Sequence, residues 1–325
     1  MGSGRFGAVL TAMVTPFDDA GALDLEGAAR LAQWLVEQGN EGLVVAGTTG
    51  ESPVLSDEEK LALWETVAAA VTVPVIAGST SNDTAHSVAL TVRAARTGVA
   101  GILAVSPYYS RPSQAGLVAH FRAVAGATAL PVLFYDIPVR TGRKVAHETL
   151  VSLAREMPTV VGVKDAAGSP AESARLIAEA PPGFDLYSGD DGLTLPLLAV
   201  GAAGVISVAG HWAAAEIGEM VGSFFKGDID GARRMNARLL ESWRFQTGDL
   251  TPNPMPAKAM MRALGLPAGQ CRLPIGPAPD GLEARALEAL GRLRGEVPEP
   301  SGGGLAPRAN GVTVGTGGHQ QGIVG

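Results

Sequence analysis

Short apolar, β-branched runs alternate along the chain with longer amphipathic stretches. The runs fall at 8–17, 42–47, 73–79, 100–107, 130–138, 159–168, 184–191 and 203–210. Such runs, spaced about 20 to 35 residues apart, predict eight strands of βα units. Between them the period becomes helical. In 25–39, Leu31, Trp34 and Leu35 share a face. Ser56 and Glu59 open 56–71 as a capping box, and Gly98 is the expected C-cap of 83–98. Regions 113–127, 146–156, 170–180, 192–201 and 211–226 have the same helical pattern. The repeat predicts an α/β fold, a (β/α)8 TIM barrel over residues 1–226. The competing open doubly wound sheet lacks its Gly-x-Gly-x-x-Gly turn after the first strand. Helical patterns at 228–248, 254–265 and 281–295 predict a C-terminal helical extension over 227–297. Residues 298–325 are Gly-rich without apolar periodicity, which predicts a disordered tail.

Composition narrows the class. The 325 residues are 46% hydrophobic, enough for a large core. The net charge of −7 is spread along the chain, and no basic cluster offers a phosphate footprint, which argues against a nucleic-acid partner. The apolar runs are too short to span a bilayer. The N-terminus lacks the apolar core of a signal peptide, and Phe6 breaks the myristoylation pattern. The single cysteine, Cys271, excludes an internal disulfide and suits a reducing compartment. A soluble, cytoplasmic protein is expected.

Barrel active sites lie at the C-terminal ends of the strands. There the sequence places GTTGES (47–52), SPYYSRPSQ (106–114), Tyr135 with IPVRTG (137–142), Lys164 in VVGVKDAAG (160–168), and SGDD (188–191). If Lys164 points into the barrel, alternation turns Val160, Gly162 and Ala166 the same way, with Gly162 leaving room for the lysine stem. Three readings of Lys164 stand open. It is a mouth lysine with a solvated head, an ion-pair partner of Asp165 or Asp190, or a Schiff-base lysine whose desolvation supplies a neutral amine. Asp165 should face the other way. Tyr135 shares its face with Leu133, while Phe134 and Asp136 face the helices. It is either a proton donor and acceptor one strand from the lysine or a core tyrosine with a satisfied hydroxyl. Thr48 and Thr49 offer hydroxyls and amides to a carboxylate, although short Gly/Thr loops are common turns. Arg140 suits a carboxylate or is a solvated rim arginine. Tyr108 and Tyr109 read as a loop aromatic pair.

Together GTTGES, SPYYSRPSQ, LFYDIPVRTG, GVKDAAG, YSGDD and GVISV, followed by NPMPAKAMMRALGL (253–266), resemble the 4-hydroxy-tetrahydrodipicolinate (dihydrodipicolinate) synthase family. That family lies in the pyruvate-dependent class I aldolase superfamily, which includes N-acetylneuraminate lyase. The resemblance covers residues 5–295. It implies that Lys164 forms an imine with pyruvate and that Tyr135 is the acid–base residue. Thr49 would link Tyr135 to Tyr109, which inserts into a neighbouring subunit's site. Thr48 and Thr49 would hold the pyruvate carboxylate. Arg140 would hold the carboxylate of L-aspartate 4-semialdehyde, and Gly189 and Ile206 would line the pocket. The implied product is 4-hydroxy-tetrahydrodipicolinate, in diaminopimelate and lysine biosynthesis, made by a homotetramer that is a dimer of dimers.

The resemblance implies no cofactor and no metal, and His86, His120, His147, His211 and His319 show no metal-site spacing. The second Thr of GTTGE and the Arg of PVRTG separate the synthase reading from its alternative, a Schiff-base lyase of a sugar acid such as N-acetylneuraminate or a 2-keto-3-deoxy acid. A PLP-dependent barrel would want a Gly-rich phosphate loop after strands 7 and 8, and a non-catalytic scaffold would not need the intact residue set. The resemblance also marks a regulatory L-lysine site at Ser52, Pro53, Asp57, Lys60, Asn82, His86 and Tyr108. There a cationic Lys60 would repel the inhibitor, so feedback by lysine should be weak or absent.

Overall fold

The computed structural model describes residues 4–296. Eight parallel strands close into a barrel in chain order: β1 (Val9–Ala12), β2 (Gly42–Val45), β3 (Val75–Gly78), β4 (Gly101–Val105), β5 (Val132–Asp136), β6 (Val160–Asp165), β7 (Asp185–Ser188) and β8 (Gly204–Ser207). Strand β8 pairs back onto β1 through Leu10 and Ile206. The helices alternate with the strands outside the barrel: α1 (Leu25–Glu37), α2 (Asp57–Ala70), α3 (Thr84–Ala94), α4 (Gln114–Gly126), the single turn α5 (Pro138–Thr141), α6 (His147–Glu156), α7 (Pro170–Glu179), α8 (Thr194–Ala199) and α9 (Gly210–Phe225). Three more follow: α10 (Ile229–Phe245), α11 (Met255–Ala263) and α12 (Leu282–Arg294). The eight expected strands and the C-terminal helices are all present. The expected disordered tail, 298–325, lies outside the described residues.

Local chemistry sets the boundaries. Ser56 and Glu59 form the capping box that starts α2. Helix α3 stops at Ala94, earlier than expected, and Gly98 comes later with a left-handed φ of +84°. Leu31 and Leu35 of α1 are buried against the barrel. Phe134, on the outward face of β5, stacks on Phe121 of α4 with ring centroids 4.3 Å apart. The barrel interior is a separate core containing Leu10, Val44, Ile76, Leu103, Leu133 and Tyr135.

Alternation breaks in β6. Val132 pairs with Val160, but Leu133 pairs with Gly162, so Val161 is the extra residue of a bulge. Val161 therefore joins the inner core and Val160 the outer one, which corrects the expectation that Val160 faces inward. Gly162 also has a different purpose from the expected one. A Cβ there would meet the Asp185 carbonyl oxygen at 2.2 Å, so the glycine makes room for β7 and not for the lysine stem.

The C-terminal helices brace the loop after β2. Lys258 of α11 and Glu51 of GTTGES are both buried, and Lys258 Nζ lies 2.6 Å from Glu51 Oε1. Lys258 Nζ also donates to the Gln270 carbonyl at 3.0 Å and sits 4.0 Å above the Phe17 ring. The Arg272 amide donates to Glu51 Oε2 at 2.9 Å. Asn253 Nδ2 donates to Thr49 Oγ1 at 3.1 Å. Removing one member of a buried pair strands the other's charge, at a cost of about 3–5 kcal/mol. Lys258→Met is therefore expected to lower Tm by about 5–10 °C. Adding Glu51→Gln to it should restore part of that loss. Thermal melts of both variants check this; a single variant as stable as the wild type would sink the bracing role.

Candidate active site

Tyr135 and Lys164 are register partners on adjacent strands, both pointing into the barrel near its C-terminal mouth. Lys164 is only 4% exposed, and its ammonium lies 4.5 Å from the centre of the Tyr135 ring. Burial pulls the Lys164 pKa down to about 8; the charge of Asp191 opposes the shift and that of Arg140 adds to it. A fall from 10.5 to about 8 raises the neutral fraction near neutrality roughly 300-fold. Burial pushes Tyr135 the other way, up to about 12, while a hydrogen bond with the Thr48 side chain and the charge of Arg140 resist. The phenol therefore keeps its proton near neutral pH, beside an amine poised to lose its own.

The carboxylate that acts on Lys164 is Asp191, a residue the sequence reading passed over in favour of Asp165 and Asp190. Asp191 is buried, and Ser207 Oγ and the amides of Val208 and Ala209 donate to it, the amides at 2.9 and 3.2 Å. Asp165 faces outward and accepts from Ser173 Oγ of α7 at 2.6 Å. Asp190 accepts from the Gly192 amide at 2.9 Å and caps the turn. The doublet SGDD did contain Asp191, but strand alternation has no authority once the chain turns. Gly189 flanks the lysine stem: a Cβ there would lie 3.1 Å from Lys164 Cγ and Cε. Ile206 is buried in the inner core.

A cavity of about 240 Å³ opens above this pair, lined by Gly47, Thr48, Tyr135, Ile137, Arg140 and Thr141 at the catalytic side. Lys164 touches the wall residue Tyr135 and is not itself on the wall. Arg140 reaches the cavity from α5. The threonine bonded to the Tyr135 phenol is Thr48, which corrects the expectation of Thr49. Thr49 is buried off the cavity wall, where it accepts from Asn253. The loop's left-handed residues are Ala46 and Glu51, at φ of 55° and 57°, and not its glycines.

Tyr109 stands apart. It is 90% exposed and has a left-handed φ of +71°. Its loop is fastened to the turn after α5, because Arg111 Nε donates to the Gly142 carbonyl at 2.8 Å. Of the expected regulatory residues, Ser52, Pro53, Lys60 and Tyr108 line the same cavity as Tyr135, and Asp57, Asn82 and His86 lie off its wall. His86 Nε2 donates to Asp57 Oδ1 at 2.9 Å, and the Tyr108 phenol bonds to the Asn82 backbone.

A desolvated lysine beside a protonated phenol at the mouth of a (β/α)8 barrel defines a class: barrels equipped for amine attack on a carbonyl. Within that class the chain belongs to the dihydrodipicolinate synthetase family, whose model matches residues 5–290. It is 49% identical over 294 residues to the 4-hydroxy-tetrahydrodipicolinate synthase of Moorella thermoacetica, covering 89% of this chain and all of that protein. It is 45% identical over 277 residues to the Bacillus subtilis enzyme of the same name, covering 84% of this chain and 94% of that one. Among solved structures, the dihydrodipicolinate synthase of Cyanidioschyzon merolae with lysine bound superposes with a TM-score of 0.87 at 41% identity, covering 90% of this chain and all of that one. Among the described residues no helix is long and apolar enough to cross a membrane.

The titration of Lys164 is directly measurable. Reductive methylation with formaldehyde and cyanoborohydride, read at the Lys164 peptide, should rise with pH to a half-point near 8. Asp191→Asn removes the charge that holds the proton on, so its half-point should fall by about one unit. A wild-type half-point at the ordinary lysine value of 10.5 would refute the desolvation argument.

Proposed function

We propose that this protein is a 4-hydroxy-tetrahydrodipicolinate synthase that condenses pyruvate with L-aspartate 4-semialdehyde. The observation that carries the reading is the buried Lys164 amine on the face of a protonated Tyr135. Neutral Lys164 attacks C2 of pyruvate. Tyr135 donates to the departing hydroxyl, and water leaves to give the iminium. The iminium accepts the electron pair released when a methyl proton departs, and an enamine results. Its terminal carbon attacks the aldehyde carbon of the semialdehyde, which takes a proton. The substrate's own amine then adds to the imine carbon and expels Lys164, closing the ring.

The other residues divide the two carboxylates. Thr48, on the wall and bonded to Tyr135, serves the pyruvate end together with the loop amides. Thr49 keeps that loop in place. Arg140, at the rim, serves the semialdehyde carboxylate by paired hydrogen bonds. That cationic anchor for a second carboxylate favours this substrate over the sugar acids of the lyase reading. Gly189 and Ile206 shape the space around the lysine.

Tyr109, presented outward, would complete the proton relay in a second copy, which makes a homotetramer built from such dimers the expected assembly. The proposed setting is the cytoplasm, which suits a chain whose one cysteine has no internal partner.

Incubation with pyruvate and borohydride should add one reduced pyruvyl group, mapped to the Lys164 peptide. Tyr135→Phe should slow imine formation about 10²–10⁴-fold while leaving the fold intact. No adduct, or an adduct on another lysine, would refute the mechanism. An adduct with no activity on L-aspartate 4-semialdehyde, but pyruvate release from a sugar acid, would select the lyase.

A further inference from the structure

Arg140 is held at the cavity by its backbone and not by its side chain. It is exposed, and among the described residues its guanidinium makes no ion pair. The turn that carries it, α5, projects from the barrel, with Val139 86% exposed. What fixes the turn lies below it, at the two feet of its loop. The Arg140 and Thr141 amides donate to the Ile137 carbonyl at 3.0 Å, and Thr141 Oγ1 donates to the Arg143 carbonyl at 3.0 Å. Asp136 then joins the feet. It ends β5 on the outward face and is buried. Its Oδ1 accepts from the Val145 amide at 3.1 Å, and its Oδ2 accepts from Lys144 Nζ at 3.3 Å.

Stability does not explain this carboxylate. Burial pushes the Asp136 pKa up to about 6; Lys144 and the Val145 amide oppose the shift, and the charge of Asp165 adds to it. A carboxyl with a raised folded pKa favours the fold when protonated, and that contribution is lost as pH rises through about 6. Ionised Asp136 therefore costs the fold stability near neutral pH. An asparagine would accept from Val145 without that cost. The surroundings offer the charge one cation. Lys144, His147, Asp165 and Glu172 gather in a small cleft beside Asp136. Asp165 accepts from Ser173, and His147 faces Glu148 at 3.1 Å and Glu179 at 3.5 Å. Glu172 of α7 reaches Lys144 at 3.0 Å. Lys144 belongs to the loop that carries Arg140, so the Asp136 charge draws that loop onto the end of β5.

We propose that Asp136 is a positioning residue for Arg140: its ionised carboxylate clasps the loop at Lys144 and Val145 and so fixes where the guanidinium meets the second substrate's carboxylate. The inference rests on Arg140 being the anchor for the semialdehyde, as proposed. Asp136 touches no substrate. It acts from the outer face of the strand whose inner face carries Tyr135. As pH falls through about 6 the carboxyl gains a proton and the attraction for Lys144 is lost. The loop then loosens and KM for the semialdehyde rises, while pyruvate, bound at the Lys164 end, is spared.

Steady-state kinetics of the full chain across the window around pH 6 test this, with KM for L-aspartate 4-semialdehyde and for pyruvate measured separately. In the wild type the semialdehyde KM should rise about tenfold as pH falls through that window. Asp136→Asn cannot titrate and gives Lys144 no charge, so it should show the raised KM at every pH. Lys144→Met should match it near neutral pH, and the double variant should go no higher, because either change opens the same clasp. Equal semialdehyde KM in wild type and Asp136→Asn near neutral pH, equal rises for both substrates, or additive effects in the double variant overturn the proposal. So does a pH dependence that persists in Asp136→Asn, which would belong to His147 or Lys164. Asp136→Asn should melt no lower than the wild type near neutral pH; a clear fall in Tm would mark a structural role and also overturn it. If pyruvate and borohydride mark Lys164 but the semialdehyde is not consumed, the synthase reading fails by itself. Hydrogen exchange over residues 137–146 near neutral pH then decides the clasp: about tenfold faster exchange in both single variants is expected, and unchanged exchange overturns it.

Discussion

An ammonium group confined inside a closed parallel barrel governs the chemistry of this molecule. Water is excluded from Lys164 by the strands on either side and by Tyr135 across its face. The charge is tolerated because Asp191 is held rigidly nearby by Ser207 and two backbone amides. Desolvation and that single carboxylate pull in opposite directions, and desolvation wins by enough to bring the amine close to neutrality. The same burial keeps the neighbouring phenol protonated. One environment thus tunes an amine and a phenol in the two directions that carbonyl condensation requires.

The C-terminal helices are part of this arrangement and not an appendage. The loop that carries Thr48 contains two non-glycine residues in left-handed backbone, Ala46 and Glu51. A loop of that kind persists when its surroundings over-determine it. Here Lys258 grips the Glu51 carboxylate, the Arg272 amide binds its other oxygen, and Asn253 holds Thr49. Arg272 also pairs with Glu59 at the start of α2, so loop and helix are anchored from one direction. The ion pair is no strong source of net stability, since both charges give up water. Its value lies in specifying where the loop sits.

Much of this was legible in one dimension. Regular apolar runs separated by helical periods lead to eight βα units, and barrels put chemistry at strand ends, so Lys164, Tyr135, the pair Thr48 and Thr49, and Arg140 stand out in the sequence alone. The inward parity of Tyr135 and Leu133 followed from alternation alone. Parity failed where the backbone departs from a regular strand. The bulge at Val161 exchanged Val160 for Val161, and the turn after β7 concealed that it is the charge of Asp191 and not of Asp190 that acts on the lysine. Adjacent threonines raised the same difficulty, because which hydroxyl reaches the phenol depends on a loop conformation that composition does not report.

The sequence by itself determined the architecture, the family and the neighbouring lysine and tyrosine at the barrel mouth, because those rest on periodicity and on residue types that few chemistries need together. Only the tertiary structure decided which carboxylate balances Lys164, which threonine meets Tyr135, and that Glu51 and Lys258, far apart in the chain, form a buried pair. It also decided that Lys60 lies on the same cavity wall as Arg140. Each of these depends on distances and burial between segments remote in sequence, and electrostatic energies follow separation and solvent exclusion, neither of which is written in the order of residues.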